Sequence, residues 1–338
     1  MIKQDLLCRV NADANIGLGH LYRVLAIVEM LKSNFQIHFI VSSTTNKTLI
    51  PFDNIITIPN ELYEADEADF FAKYYNSSSS VIIFDGYFCN TNYQRRFREK
   101  GFKFIVIDDY ARDHFYANLV VNHSPFMKPD MYTHETYTKL ALGTQYTLLR
   151  PSFLKEAKSL NSHDGKLNKL FICFGGADTF NLTIKAVEGA IATNKIKELH
   201  VIVKDSIVES EVEDYKNLHP QTKINVYRQV GEDQMIKVIK DCNLAIAPSS
   251  TMLFELCCIG IPIISGYFVD NQSNIYKGFL NEGAIYGIGD ISKFDASSFK
   301  ACIEKVMILE GLQEMVEEQK KLIDGGSKER LQKKVEEI

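Results

Sequence analysis

The chain has 338 residues, of which 46% are hydrophobic and 24% charged, with a formal net charge of -5. This is enough apolar material for one large or two ordinary domains, and the absence of a dominant basic block argues against nucleic acid as a partner. The seven cysteines are scattered without a CxxC pair, several inside apolar runs such as LFICFGG and FELCCIGIP, which favours reduced, buried thiols over disulfides or zinc.

The N-terminal segment lacks the long apolar core of a signal peptide, and no apolar run reaches the ~18 residues of a membrane span. A cytoplasmic protein without a membrane partner is therefore expected. In chain order, the run LLCRV reads as a strand, followed by a glycine turn and an amphipathic helix, GHLYRVLAIVEMLKSN. QIHFIVS, VIIFDGY, FKFIVIDDY and LVVNHS follow as short β-rich runs with polar ends, and NYQRRFREKG reads as a helix between them. Such runs suit parallel strands buried on both faces, with ligand groups at their carboxyl ends. Pro151 then stops a strand-like run, and Ser, Asn, His, Asp and Gly cluster over 159–166 as a linker. A second alternating series starts at LFICFGGAD and runs through ELHVIVK, KINVYRQ, NLAIAPSS and IPIISGY, with helices between. The basic run near the end, KKLIDGGSKERLQKK, is interleaved with acids and reads as a solvated helical face. The expected fold is α/β, with two Rossmann-like doubly wound parallel-sheet domains, 1–155 and 156–338, facing a cleft that would hold the ligand.

Four stretches carry candidate chemistry. In NIGLGHLYR, Gly17 and Gly19 permit a tight turn close to a ligand, His20 sits in the first helical turn as a neutral base, and Arg23 shares its face. The bland alternative is an incidental histidine at a helix start. In FICFGGAD, Gly175 and Gly176 form either an ordinary βα turn or a backbone nest for a diphosphate. In the third stretch, Ser249, Ser250 and Thr251 open a helix on which Glu255 follows four residues after Thr251. The Glu255 carboxylate suits ribose hydroxyls, and Asn271 and Gln272 beyond the next strand suit sugar hydroxyl and acetamido groups. A capped core helix with a polar loop is the alternative there. The fourth set is the acids at strand ends, Asp13, Asp85, Asp108 and Asp109, read as Asx turns, metal ligands or a holder for a catalytic histidine; Tyr87 and Tyr110 follow them and could line the cleft. No HxH, HExxH or DxD pattern compels a metal. His114, His123 and His134 receive no role.

Taken together, RVNADANIGLGHLYRVLAI, FDGY, VIDDYARDHFYANLVVN, YTLLRPSF, FGGADTFNLT and APSSTMLFELCCIGIPIIS…DNQ, spanning about residues 6–290, resemble the UDP-sugar hydrolases of pseudaminic acid biosynthesis. That family is similar in fold to two-domain glycosyltransferases of the B type. The resemblance implies hydrolysis of UDP-2,4-diacetamido-2,4,6-trideoxy-β-L-altropyranose to UDP and free sugar, with no cofactor and no metal. It implies His20 as general base, Glu255 on the ribose, and Asn271 and Gln272 on the sugar. The chain departs from the family at APSST, where glycine-rich turns are usual and Pro248 removes a backbone donor. The rivals are a B-type glycosyltransferase with an acceptor in place of water, and a non-catalytic nucleotide-sugar-binding protein. A monomer is compatible with the sequence.

Overall fold

The computed structural model describes residues 3–11, 18–59, 61–159, 166–176 and 178–338. Its contacts divide the chain into two units, 1–151 with 326–338, and 152–325.

In the first unit β1 (Gln4–Val10) leads to α1 (Gly19–Leu31), β2 (Phe35–Val41), β3 (Ile55–Thr57), α2 (Glu67–Tyr74), β4 (Ser80–Asp85), α3 (Thr91–Glu99) and β5 (Lys103–Ile107). The two-residue strands β6 (His114–Phe115) and β8 (Thr133–His134) pair with each other, while β7 (Leu119–Asn122) and β9 (Lys139–Leu142) complete the main sheet. That sheet is parallel in the order β3-β2-β1-β4-β5-β7-β9. Its central strands are apolar runs because both faces are covered: Leu6, Leu7, Cys8, Ile82, Ile83, Phe84 and Ile105 are all buried. On one face Phe71, Phe84, Phe97, Phe102 and Phe104 pack mostly edge to face, the preferred geometry for aromatic rings. Arg9 is the buried charged residue on β1. Its guanidinium forks onto Glu67 at 2.8 and 2.9 Å and lies 4.3 Å over the Phe88 ring, while Tyr93 donates to Glu67 at 2.6 Å.

The second unit contains α4 (Pro151–Ala157), which begins at the division, then β10 (Lys169–Cys173), α5 (Leu182–Ala192), β11 (Glu198–Val203), α6 (Ser206–Leu218), β12 (Lys223–Arg228) and α7 (Glu232–Lys240). β13 (Leu244–Pro248), α8 (Thr251–Ile259), β14 (Ile263–Tyr267), α9 (Asp270–Asn281), β15 (Tyr286–Asp290), α10 (Ala296–Val306) and α11 (Leu312–Leu322) follow. Its sheet is parallel in the order β12-β11-β10-β13-β14-β15.

Two expectations are corrected here. Pro151 does not stop a strand; it opens α4, where its missing N–H costs nothing. The terminal helix α12 (Ser327–Glu336), counted above with the second domain, packs in the first unit, burying Leu331 and Val335 while Gln332 donates to the Met30 carbonyl at 2.8 Å. The expected linker over 159–166 lies largely outside the described residues. No described helix is long and apolar enough to cross a membrane.

Candidate functional site

In each sheet the strand order reverses direction at one point, between β1 and β4 in the first unit and between β10 and β13 in the second. In open parallel sheets the loops leaving the carboxyl ends at such a point diverge and leave a crevice for ligands. The candidate residues collect there. The register pairs Val10 with Asp85 and Asp85 with Ile107, so the carboxyl ends of β1, β4 and β5 are level and Asp85, Asp108 and Asp109 share one edge.

α1 delivers His20 and Arg23 to that edge from its first turn, both buried and on one face by their three-residue spacing. His20 Nδ1 lies 2.5 Å from Asp85 Oδ1. Arg23 donates from Nε to Asp85 Oδ2 at 3.1 Å and from Nη2 to Oδ1 at 2.8 Å, and also binds the Asp109 carboxylate. Arg23 Nη2 is also 2.9 Å from His20 Nδ1, but a guanidinium only donates. An unprotonated Nδ1 would set its lone pair against the carboxylate at 2.5 Å, whereas Nη2 has two carboxylates to serve. A hydrogen on Nδ1 donated to Asp85 fits this geometry, and in that tautomer Nε2 is the acceptor of the ring. Burial works against the Arg23 charge, but Asp109 and Asp85 outweigh it and hold its pKa above the ordinary value. Burial alone would raise Asp109; Arg23 reverses this and holds it below its usual range.

His20 lines a cavity of 270 Å³ together with Tyr87, Tyr110 and Arg112. The Tyr87 ring meets the imidazole edge to face, 5.0 Å between centroids, and Arg112 stacks 3.9 Å over Tyr110. Asp85, Asp108, Asp109 and Asp113 also reach the wall, against the single arginine Arg112. Asp108 is pushed up by burial, although it accepts from the Ala111 amide at 2.9 Å, Tyr132 at 2.9 Å and Asn122 at 3.2 Å. That grip holds Ala111 at φ 55°, a left-handed conformation rare for a side chain, in the loop that carries Tyr110 and Arg112.

In the second unit Gly175 and Gly176 are exposed after β10, and Gly175 takes φ +77°, which a glycine adopts without strain. The α5 amides that a diphosphate nest would use are taken, however: Asp178 accepts from Leu182 and Thr183 at 2.8 and 2.9 Å. Any phosphate contact there rests on the glycine loop itself and on the nearby Lys204, whose ammonium donates to the Asp178 carbonyl at 2.8 Å. Ser250 and Thr251 are half-buried at the start of α8, and Glu255 is buried on it. Asn271 is half-buried in the first turn of α9.

Three side chains expected at the ligand have partners within the chain. Arg23 is buried with its guanidinium on the Asp85 and Asp109 carboxylates. Ser249 is fully buried, its hydroxyl paired with Ser265 at 2.9 Å, because its backbone N–H still extends the sheet to Gly266. The Gln272 side-chain oxygen accepts from the Phe268 amide at 3.1 Å and shapes the turn into α9. Gly17 and Asp13 lie outside the described residues. A holder for a catalytic histidine was one of the roles left open for the strand-end acids, and Asp85 is the one that meets His20; the pairing of Asp109 with Arg23 was not foreseen, its only signal being an acid after a strand. The sequence reading missed Glu198, His200 and Asp241, whose donor atoms lie within 4.8 Å of one another. This trio has its charge met by Lys169 on Asp241 at 2.7 Å and Lys223 on Glu198 at 2.6 Å, which makes it a poor metal cage.

The fold is that of the B-type glycosyltransferases, two doubly wound α/β units in one chain. MurG of Acinetobacter baumannii matches with a TM-score of 0.66 at 14% identity, over 97% of this chain and 99% of that one. In sequence, SpsG, a spore coat polysaccharide biosynthesis protein of Bacillus subtilis, is 20% identical over 278 residues, 81% of this chain and 80% of its own. The protein MJ1062 of Methanocaldococcus jannaschii is 25% identical over 284 residues; these are 80% of this chain but 57% of that protein, so the chain spans little more than half of its length. No family model matches the chain.

Proposed function

We propose that the protein is a UDP-sugar hydrolase that breaks the anomeric C–O bond, with His20 as the general base. The observation that carries this reading is the imidazole on the wall of the 270 Å³ cavity, its Nδ1 committed to Asp85 and its Nε2 left to accept a proton. In the reaction Nε2 takes a proton from water, whose oxygen bonds to C1 from the face opposite the nucleotide. The C1–O bond breaks with inversion, and UDP leaves with the electron pair. General-base assistance of this kind contributes ~10²–10⁴ in rate. UDP is already a good leaving group, so no general acid is required.

The first unit supplies the sugar side and the second the nucleotide side. Gly175, Gly176, Ser250 and Thr251 offer amides and hydroxyls to the diphosphate, Glu255 takes the ribose, and Asn271 takes an acetamido or hydroxyl group. The substrate is UDP-2,4-diacetamido-2,4,6-trideoxy-β-L-altropyranose, in keeping with the likeness to a polysaccharide biosynthesis protein. The fold, shared with transferases, favours one other reading, in which a sugar hydroxyl replaces water.

Incubation with a panel of UDP-diacetamido-trideoxyhexoses in heavy-oxygen water, without acceptor, separates these readings. Free sugar labelled at C1 and unlabelled UDP are expected. Label on UDP would mean attack at phosphorus, and turnover only after an acceptor is added would establish the transferase.

A further inference from the structure

The proposed chemistry uses His20, but the structure buries more charge around it than a lone base needs. Asp85 is fully enclosed as a side chain, and Arg23 and Asp109 are nearly so. Burying three ionised groups costs several kcal/mol each in desolvation unless each is paired and hydrogen-bonded, so the arrangement is maintained against a penalty. Every polar atom has a task. Asp85 Oδ1 receives His20 Nδ1 and Arg23 Nη2, and Asp85 Oδ2 receives Arg23 Nε. The far side of the guanidinium is fixed by Asp109, which extends the chain to the end of β5.

We infer that Asp85 is the positioning residue of His20, and that Arg23 and Asp109 form the brace that holds Asp85 in place. This rests on the functional reading given above for the role of His20, and adds to it the groups that make the imidazole competent. Asp85 does not touch substrate. It accepts the Nδ1 hydrogen throughout, which keeps the lone pair on Nε2. When Nε2 gains the proton from water, Nδ1 keeps its own, and the positive charge of the ring arises beside an ionised carboxylate. Asp85 itself gains and loses no proton. The brace matters because a carboxylate free to rotate would let the ring turn or adopt the other tautomer, which presents Nε2–H and no acceptor. Arg23 grips both Asp85 oxygens and so removes that freedom.

The test reads the tautomer directly. The protein is labelled with ¹⁵N-histidine, and the His20 signals, one set among eight histidines, are assigned by their loss in His20→Gln. In the unliganded wild type at pH 8 the expected pattern is a protonated Nδ1 and an unprotonated Nε2. Asp85→Ala should shift the signals toward a protonated Nε2, and kcat should fall on the order of 10²- to 10⁴-fold with KM changed less than about threefold. A protonated Nε2 in the wild type overturns the assignment without recourse to any variant, so a failure of Asp85→Ala to fold leaves the test intact. Unchanged ring shifts and kcat in a folded Asp85→Ala protein would overturn it equally. If the wild type turns over no UDP-sugar, the functional reading falls, and the ring shifts alone still decide whether Asp85 orients His20.

Discussion

His123 makes the first unit sensitive to acid, and the effect can be worked out from its surroundings. It follows β7, is 3% exposed, and accepts the Leu148 amide hydrogen on Nδ1 at 3.2 Å. Burial, reinforced by the Arg23 charge and only partly offset by Asp109, pushes its pKa down from 6.5 to about 3. The folded state therefore holds His123 neutral where the unfolded chain protonates it. The sign follows: stability is full above about pH 6.5 and is lost as the pH falls, by about 1.4 kcal/mol per unit until the folded pKa is reached. Between pH 6.5, where the unfolded histidine is already half protonated, and pH 4.5 the loss is roughly 2.3 kcal/mol. Asp109, whose folded pKa is lowered, loses its contribution only below about pH 4, outside this window. His123→Asn keeps an acceptor near the Leu148 amide but cannot titrate; any packing cost is the same at both pH values and cancels in the difference. Urea unfolding at pH 6.5 and 4.5, read by hydrogen exchange of the β7 amides so that the first unit is followed by itself, should show a smaller pH loss in the variant. Equal losses in the two proteins would refute the reasoning.

Three further outcomes are expected. His20→Gln should lower kcat on the order of 10²- to 10⁴-fold while UDP still binds by calorimetry, because the nucleotide is assigned to the second unit. Ser249→Ala should cost about 1–3 kcal/mol in urea unfolding by stranding the Ser265 hydroxyl, yet leave UDP affinity within about twofold. Glu67→Ala should destabilise the first unit by about 3–5 kcal/mol in thermal or urea melts, since it leaves the Arg9 guanidinium buried without its carboxylate.

The legible parts of the fold were those with a local cause. LLCRV, VIIFD and KFIVI are apolar without alternation because they lie in the middle of a parallel sheet, and that burial leaves a mark on each run by itself. β3 and β15 lie at or near sheet edges, short and half-buried, so no comparable pattern marks them. The four-residue spacing of Leu331 and Val335 announces a helix, but which sheet it covers is settled by contacts some three hundred residues back along the chain. The candidate site divides in the same way. His20 and Arg23 share a helix face by spacing alone. Their meeting with Asp85, 65 and 62 residues away, depends on the strand register that levels Val10 with Asp85. A sequence can mark Asp85 as an acid at a strand end; it cannot tell a turn former from a histidine's partner. Ser249 fails in the opposite sense, since a hydroxyl before a helix looks available until the sheet is seen to run past it.

The two switch points also differ in what they place at the carboxyl edge, and this bears on the division of labour proposed above. The first unit concentrates ionised side chains there and buries them, at a desolvation penalty that a binding surface alone does not require. The second presents exposed glycines and half-buried hydroxyls, and satisfies the start of α5 internally through Asp178. Fixed, prepaired charge is what a proton transfer needs, because the groups must not reorganise while charge moves. Open backbone and small hydroxyls are what a phosphate or ribose needs, because they can approach closely without adding charge of their own. The proposed assignment of chemistry to the first unit and nucleotide binding to the second therefore rests on the kind of polar group each sheet edge carries, and the proposal is the same whether water or a sugar hydroxyl is the nucleophile.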